Sequence, residues 1–283
     1  MPPVSGNGRR ATVIGAAEFV GRSLLARLRS DGWDACDATN DPLSVCDQPL
    51  GHVFYCPAVA IESQQRPHEM LQSRVSLLGL LLQHGQYESL VYLSSTRLYD
   101  GVLADTASED TPLALDPAQP RHLHGLSLAL GEALCRHATS GRARVARLGC
   151  VYRDATDADG FVARLMRDVA GISFGQPARL HVPTTAQRAR DYVHLDDALQ
   201  ALLLIATGGT QPLYNVASGV NVSNRELFAR LQALSGCEIV AGQRHIVRPT
   251  PRIDTTRMRQ EFGWQPRSLL DNLAELLPQP ALC

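Results

Sequence analysis

The chain of 283 residues has 45% hydrophobic and 19% charged residues, a composition that can bury one large core or two modest ones. Its formal net charge of -1 offers no electrostatic footprint for a polyanion, so we expect no nucleic-acid partner. No run of about 18 apolar residues is present, so we expect no membrane span.

The first predicted element is a short apolar strand at 11–14, followed by a helix with Leu24, Leu25 and Leu28 at helical spacing. Apolar runs and helical segments then alternate. The runs are 52–56, 90–93 and 145–148, and the helical segments are 71–83 and 123–137. This alternation predicts an α/β fold with a parallel sheet covered by helices on both faces. We place this first lobe at residues 9–152.

Beyond Tyr152 the pattern changes to shorter pieces separated by glycine and proline. We predict helices over 160–168, 196–206 and 223–234, and an extended segment over 180–182. Asp196 and Asp197 precede an apolar helical stretch, as an N-cap and a first-turn acid would. Residues 153–283 are therefore predicted to form a smaller C-terminal lobe, interleaved with the first.

A glycine-containing turn, Gly15-Ala16-Ala17-Glu18-Phe19-Val20-Gly21, follows the first strand. A dinucleotide fold needs glycines here for the tight turn, for backbone approach to the pyrophosphate and for close packing. Two of three such glycines are present. Glu18 stands at the middle position, where a side chain obstructs a pyrophosphate and a carboxylate repels it.

Longer motifs further along the chain carry a family resemblance. They read V-Y-L-S-S-T-R-L-Y at 91–99, L-G-C-V-Y at 148–152, R-A-R-D-Y-V-H-L-D-D at 188–197, Y-N-V-A-S-G-V at 214–220 and F-G-W-Q-P at 262–266. Together they resemble the extended short-chain dehydrogenase/reductase family, the NAD-dependent epimerases and dehydratases of nucleotide sugars. The resemblance extends over residues 11–277. It implies a Rossmann-type, doubly wound parallel sheet with a smaller C-terminal substrate-binding lobe.

The resemblance implies a site for NAD or NADP. The residues that would form it are Gly15, Ala17, Glu18, Phe19, Val20, Gly21, Thr39 and Ala58. In the family an acidic side chain after the second strand binds the ribose hydroxyls. That position falls on Thr39, with Asp37 and Asp41 on either side of it. Two readings stay open: a dinucleotide bound despite these departures, or a scaffold whose strand ends and turns hold no cofactor.

The resemblance also locates the catalytic position. Family members use a Ser or Thr that polarises the substrate oxygen, a Tyr acid/base, and a Lys that lowers the pKa of the Tyr. Ser95 takes the first position, His124 replaces the Tyr and Leu128 replaces the Lys. An imidazole with a pKa of about 6.5 is a competent acid/base without a lysine. Ser95, Thr96 and His124 are therefore the candidate catalytic residues.

Less specific readings of these residues remain open. Ser95 could cap the segment that follows its strand, and His124 could be a helix-start histidine with no chemical role. His122 and His124 lack further ligands at metal-binding spacing, so we expect no metal.

In the C-terminal lobe the resemblance makes Arg190 the candidate that grips a nucleotide diphosphate, because a guanidinium forms bidentate bonds with such groups. Tyr152, at the end of its motif, is the second substrate-binding candidate. The alternative is a buried Arg190 that pairs with a carboxylate and joins the two lobes.

Two functions from different classes follow. One is an atypical enzyme that handles a sugar nucleotide or a small natural-product intermediate through Ser95 and His124. The other is a non-catalytic pseudoenzyme, a binding or partner subunit. The changes at Glu18, Thr39, His124 and Leu128 affect the cofactor site and the acid/base site together.

Location and assembly complete the predictions. Seven cysteines without a C-x-x-C pair favour a reducing cytoplasm, and the first ten residues lack the apolar core of a signal peptide. The resemblance implies a homodimer formed through the helices at 71–83 and 123–137.

Overall fold

The computed structural model describes residues 9–38, 48–57, 67–138, 141–157, 160–171, 179–242 and 249–277. The chain divides into two compact units, each drawn from three segments. Unit 1 comprises Met1–Leu98, Leu113–Arg147 and Leu199–Tyr214, and unit 2 comprises Tyr99–Pro112, Leu148–Ala198 and Asn215–Cys283.

The secondary structure alternates between strands and helices through most of unit 1. In chain order the described strands are β1 (Arg10–Ile14), β2 (Asp34–Asp37), β3 (Pro49–Tyr55), β4 (Gln86–Ser95), β5 (Thr106–Ala107), β6 (Ala143–Leu148), β7 (Cys150–Tyr152), β8 (Arg179–Val182), β9 (Ala189–His194), β10 (Leu213–Val216), β11 (Asn221–Ser223), β12 (Glu238–Ala241) and β13 (Arg252–Ile253). The described helices are α1 (Phe19–Ser30), α2 (Pro67–Leu71), α3 (Leu77–His84), α4 (Leu123–His137), α5 (Phe161–Ala170), α6 (Leu195–Gly208), α7 (Asn224–Ser235), α8 (Thr256–Phe262) and α9 (Leu269–Leu276). A π-helical turn spans Gln72–Ser76, and 3-10 turns span Thr96–Tyr99 and Pro120–His122.

The central sheet has six strands in the order β10-β6-β4-β3-β1-β2. β1 pairs in parallel with β2 and with β3, and β3 pairs in parallel with β4. Val53 and Phe54 of β3 and Leu90 and Val91 of β4 are fully buried, as expected for strands covered on both faces. The α/β fold predicted from the alternating pattern and the Rossmann-type sheet implied by the resemblance are thus confirmed.

The helices of unit 1 follow the predicted apolar spacing. α1 buries Leu24, Leu25 and Leu28, and α4 has the predicted bounds. The helix predicted over 71–83 is longer: α2, the π-helical turn and α3 follow one another from Pro67 to His84. Periodicity alone does not mark a π turn, because the turn inserts a residue without changing the apolar composition.

Unit 2 has its own core and smaller sheets. β9 pairs antiparallel with β11 and parallel with β7, while β8 pairs with β12 and β5 with β13. Its apolar core includes Tyr152, Met166, Tyr192 and Phe228. α7 starts with a capping box in which the Ser223 and Glu226 side chains each bond the other's backbone N–H.

A single boundary at residue 152 does not describe the interleaving of the two units. Residues 199–214 belong to unit 1 because the end of α6 leads into β10, which joins the central sheet. Residues 99–112 belong to unit 2, where β5 pairs with β13. The two ranges 9–152 and 153–283 therefore stay a prediction about domains.

Asp196 and Asp197 lie within the first turn of α6 and not before it. Asp197 accepts bonds from the backbone N–H of Arg267 at 2.9 Å and from its Nη2 at 2.9 Å. The N-cap prediction for this pair was thus wrong, because the helix begins at Leu195, while the first-turn prediction is confirmed. Among the described residues, no helix is both long and apolar enough to cross a membrane.

Candidate active site

The turn from β1 to α1 depends on two glycines. Gly15 has φ +84°, and a Cβ there would lie 1.9 Å from the carbonyl oxygen of Cys56. A Cβ on Gly21 would lie 2.2 Å from the carbonyl oxygen of Gly15. Only glycine avoids these collisions, so the tight turn predicted from the sequence is present.

Glu18 is the N-cap residue of α1. Its backbone N–H donates to the Gly15 carbonyl at 3.1 Å, and its own carbonyl accepts from Arg22 N–H at 2.8 Å. The Glu18 side chain does not cap the helix. Burial raises the pKa of the Cys56 thiol and the Glu18 carboxylate adds to that effect, whereas at Arg74 the same carboxylate only partly offsets the burial that lowers the pKa. A negative charge therefore lies at the helix N-terminus, where an anion would otherwise bind.

The other predicted cofactor residues are placed as follows. Ala17 is exposed, and Phe19 and Val20 are half-buried in the first turn of α1. Thr39 and Ala58 lie outside the described residues, as does Asp41. Asp37 is the exposed last residue of β2. The described part of the chain thus presents one carboxylate at the end of the second strand.

Two serines end β4 and have different environments. Ser94 is buried and donates to Oε1 of Glu132 at 2.5 Å. Ser95 is half-buried, and its Oγ accepts the backbone N–H of Arg97 at 3.2 Å. This bond caps the following 3-10 turn, as the structural alternative for Ser95 predicted. A hydroxyl that accepts one bond keeps its own hydrogen for donation. Thr96, the next residue, is buried.

His124 lies in the first turn of α4 and is bonded to a residue that the motifs did not single out. Nη1 of Arg74, in the π-helical turn, lies 3.0 Å from Nδ1 of His124. The same Nη1 donates to Oγ of Ser127 at 3.0 Å, and this hydroxyl donates to the His124 carbonyl at 2.8 Å. Arg74 is 1% exposed.

The protonation state of His124 follows from these neighbours. Burial is the main cause that lowers its pKa to about 4, and the charges of Arg74 and Arg97 add to the effect. A guanidinium only donates, so Nδ1 of His124 must accept and Nε2 must carry the hydrogen. The structure therefore differs from the expectation of an imidazole with its ordinary pKa. His124 is a neutral hydrogen-bond donor near pH 7.

Leu128 and His122 both make contacts that stabilise the fold. Leu128 is 4% exposed and packs in the core of unit 1, so it supplies neither charge nor hydrogen bond at the lysine position. Nδ1 of His122 accepts the backbone N–H of Asp116 at 2.9 Å. Within the described ranges, no cluster of His, Cys, Asp and Glu could hold a metal ion.

In unit 2, Arg190 is bound to a carboxylate. Its Nη1 and Nη2 donate to Oδ1 and Oδ2 of Asp100 at 3.2 and 3.1 Å, and Nη1 also contacts Oγ1 of Thr250 at 3.1 Å. The carboxylate pair of the structural alternative is thus present, but both residues belong to unit 2, so this pair does not join one unit to the other. The Arg190 side chain keeps 18% of its surface exposed. The neighbouring Asp191 accepts bonds from Ser218 and Gly219, and burial raises its pKa to about 6.

Tyr152 is 3% exposed in the core of unit 2. Its hydroxyl accepts from Nδ2 of Asn272 at 3.3 Å, and its ring meets that of His194 edge-on at 5.2 Å between centroids. These contacts give Tyr152 a packing role. Its predicted contact with substrate stays a prediction.

Comparison with known proteins defines the class to which the fold and the site belong. The model of the NAD dependent epimerase/dehydratase family matches residues 11–217. The chain therefore belongs to this family.

Three similar proteins illustrate the range of the family. The chain is 26% identical to the dTDP-6-deoxy-L-talose 4-dehydrogenase (NAD(P)(+)) of Kitasatospora kifunensis, with 92% of each chain covered. It is 26% identical to the dTDP-glucose 4,6-dehydratase of Streptomyces griseus over 88% of this chain and 76% of the other. Among solved structures, MoeE5 in complex with UDP-glucose and NAD matches with a TM-score of 0.73 and 22% identity, covering 95% of this chain and 97% of that one.

The residues of this site fit a dinucleotide only in part. Gly15 and Gly21 build the turn that such a cofactor needs. The Glu18 carboxylate at the N-terminus of α1 disfavours a second anion there. Leu128, which the resemblance aligns with the family lysine, is buried. The described residues thus supply the glycines of a dinucleotide turn together with a carboxylate at the helix N-cap.

Proposed function

We propose that this family member acts on a sugar nucleotide and that Ser95 and His124 perform its acid/base chemistry in altered form. The observation that carries the proposal is the bond of 3.0 Å from Arg74 to Nδ1 of His124, which leaves a hydrogen on Nε2. Curated relatives named as a dehydrogenase and a dehydratase of dTDP-linked sugars support this substrate class.

The chemistry proposed for these residues is the polarisation of a sugar carbonyl. A neutral imidazole can act as the electrophile that polarises a carbonyl oxygen. The Ser95 hydroxyl supplies a second donor to the same oxygen. When a water molecule takes the proton of the neighbouring carbon and becomes hydronium, the electron pair of the C–H bond moves to the carbonyl oxygen, and both donors stabilise the negative charge there. This enolisation is the first step common to isomerisation, epimerisation and dehydration of a keto sugar.

The function proposed for this chain does not pass through a dinucleotide. Among the similar solved structures, MoeE5 is in complex with NAD, and RMD from Pseudomonas aeruginosa is complexed with NADPH. A bound cofactor would supply hydride chemistry. In this chain the proposed role of Ser95 and His124 is to bind the carbonyl oxygen of the sugar and to stabilise the negative charge that develops on it.

A second candidate function is the non-catalytic binding or partner subunit. It is favoured by the carboxylate of Glu18 at the helix N-terminus and by Leu128 in the core, which together remove the usual cofactor contacts. A subunit of this class would bind a sugar nucleotide without converting it. Catalysis, not binding, separates the two candidates.

We also propose the homodimer and the cytoplasmic location. Leu80 on α3 and Leu130 on α4 are 38% and 46% exposed, on the two helices where the family resemblance places the interface. Light scattering at concentrations above micromolar tests the dimer. A monomer there would exclude it.

The sugar-nucleotide site of the proposed function is tested by calorimetric titration of the protein with a dTDP-4-dehydro-6-deoxyhexose, which carries the keto group, beside dTDP alone. We expect the keto sugar nucleotide to bind more tightly than the free diphosphate, and His124→Gln to remove that difference. His122→Gln is the matched control, because His122 is a neighbouring imidazole whose Nδ1 accepts the backbone N–H of Asp116. Equal affinity of sugar nucleotides and diphosphates in the wild type would contradict a sugar site.

A further inference from the structure

Arg74 is an unusual residue for its position in unit 1. It lies in the π-helical turn Gln72–Ser76, between α2 and α3, and is among the largest fully buried side chains of the described residues. A buried guanidinium is costly unless its donors are bonded. Single π turns inside α-helices often occur at functional sites. Both observations call for a role that packing alone does not supply.

Hydrogen bonds link Arg74 to His124 both directly and through Ser127. Nη1 of Arg74 donates to the ring Nδ1 of His124 and to Oγ of Ser127, each at 3.0 Å. The Ser127 hydroxyl in turn donates to the backbone carbonyl of His124 at 2.8 Å. The ring and the backbone of one histidine are therefore both tied to one guanidinium.

Charged residues from three elements act on this pair. Arg74 faces His124 from the π-helical turn, and Arg97 faces it from the 3-10 turn after β4. Glu18 from the start of α1 partly offsets the charge of Arg74, while the Tyr92 phenol, whose pKa burial raises, is neutral near pH 7. A positive charge on the imidazole is thus opposed by two cations.

We propose that Arg74 is the positioning residue of this site: its guanidinium fixes the ring of His124 in the tautomer whose Nε2 carries the hydrogen. The inference rests on the proposed function only in assigning His124 to the substrate oxygen. The positive charge lost at Leu128 on α4 is supplied instead from another helix. A lysine beside a tyrosine lowers the pKa of the phenol and so favours its charged form. The charge of Arg74 instead favours the neutral form of the His124 imidazole.

The test is nitrogen-15 NMR of the histidine rings in the full chain, with His124→Gln used to assign the resonance. We expect wild-type His124 to show protonated Nε2 and unprotonated Nδ1 at pH 7, with a titration midpoint at about 4. In Arg74→Met, which keeps the apolar length without the charge, we expect the midpoint to rise by at least one pH unit and the Nδ1–H tautomer to appear. Arg74→Lys, which keeps the charge, should restore the low midpoint in part.

Two results would overturn the proposal. One is a wild-type His124 that carries its hydrogen on Nδ1, a measurement that needs no variant to fold. The other is a folded Arg74→Met protein with the wild-type midpoint and tautomer. Because neither readout requires turnover or a bound sugar, a failure of the proposed function leaves this inference standing, whereas a hydrogen on Nδ1 of His124 would also remove the Nε2 donor that the proposed function requires.

Discussion

Arg147 and Glu132 form a buried ion pair next to the strand that carries the serines. Nη2 of Arg147 lies 2.5 Å from Oε2 of Glu132, and both side chains are at most 5% exposed. Ser94 donates to the same carboxylate at 2.5 Å. The carboxylate thus links α4, which carries His124, to β6 and to the end of β4, which carries Ser95.

We expect Glu132→Gln to destabilise the protein by about 3–5 kcal/mol, because it leaves the buried guanidinium of Arg147 without a compensating charge. Denaturant unfolding followed by circular dichroism measures this loss. The matched control is Glu238→Gln, which removes an ion pair with Arg179 whose side chains are 50% and 57% exposed. We expect this exposed pair to contribute little to stability, because water screens its charges. Equal losses for the two variants would contradict the assigned role of Glu132.

The low pKa of His124 predicts acid sensitivity. The unfolded chain binds a proton on this imidazole at a pH of about 6.5, whereas the folded protein binds it only at about 4. Protons therefore favour the unfolded state between these values, so this contribution to stability is present above pH 6.5 and is lost as pH falls toward 4. We expect wild type to lose on the order of 2 kcal/mol more than His124→Gln between neutral pH and pH 4.5. Parallel pH profiles of unfolding free energy would contradict this.

Removal of the Glu18 carboxylate is expected to improve dinucleotide binding. Glu18 has φ -73° and ψ 155°, a conformation that glycine adopts without strain, and glycine is an acceptable N-cap. We expect Glu18→Gly to bind NAD at least about tenfold more tightly than wild type, a gain of about 1.4 kcal/mol. Calorimetry measures the gain.

Glu18→Gln is the matched variant, because it removes the charge and keeps the bulk. If charge is the obstacle, both variants gain affinity. If bulk is the obstacle, only glycine does. Wild-type affinity equal to that of Glu18→Gly would show that the carboxylate does not oppose the cofactor.

The pair formed by Arg190 and Asp100 predicts that the Asp100 carboxylate and a bound diphosphate compete for the Arg190 guanidinium. If Arg190 binds a nucleotide diphosphate, Asp100→Asn should raise the affinity for UDP several-fold, because the guanidinium no longer holds a competing carboxylate. Calorimetric titration with UDP measures the change. Asp110→Asn is the control, since Asp110 pairs with another arginine, Arg257, in the same unit. An unchanged affinity in Asp100→Asn would leave Arg190 with a structural role.

The sequence was sufficient to predict the fold and part of the site. The apolar periodicity of α1 and α4 and the glycines of the first turn are local features, and each is confirmed. The positions of Ser95 and His124 at a strand end and a helix start also follow from local pattern.

What the sequence could not show is the bond from Arg74 to His124. Fifty positions separate the two residues, and only the packing of the π-helical turn against α4 brings them together. The available signal was an arginine inside a predicted helix that is otherwise rich in apolar residues. For the same reason the low pKa of His124 could not be predicted, because burial and two distant arginines cause it.

Solvent deuterium exchange tests most directly whether Ser95 and His124 catalyse enolisation. The protein is incubated in heavy water with a dTDP-4-dehydro-6-deoxyhexose and no added dinucleotide, and mass spectrometry then measures the deuterium incorporated. We expect exchange at the carbon next to the keto group, lowered by about 10²-fold or more in Ser95→Ala and in His124→Gln and unchanged in His122→Gln. A wild-type protein that binds the sugar nucleotide but exchanges no faster than these two variants would contradict the catalytic account and favour the non-catalytic subunit.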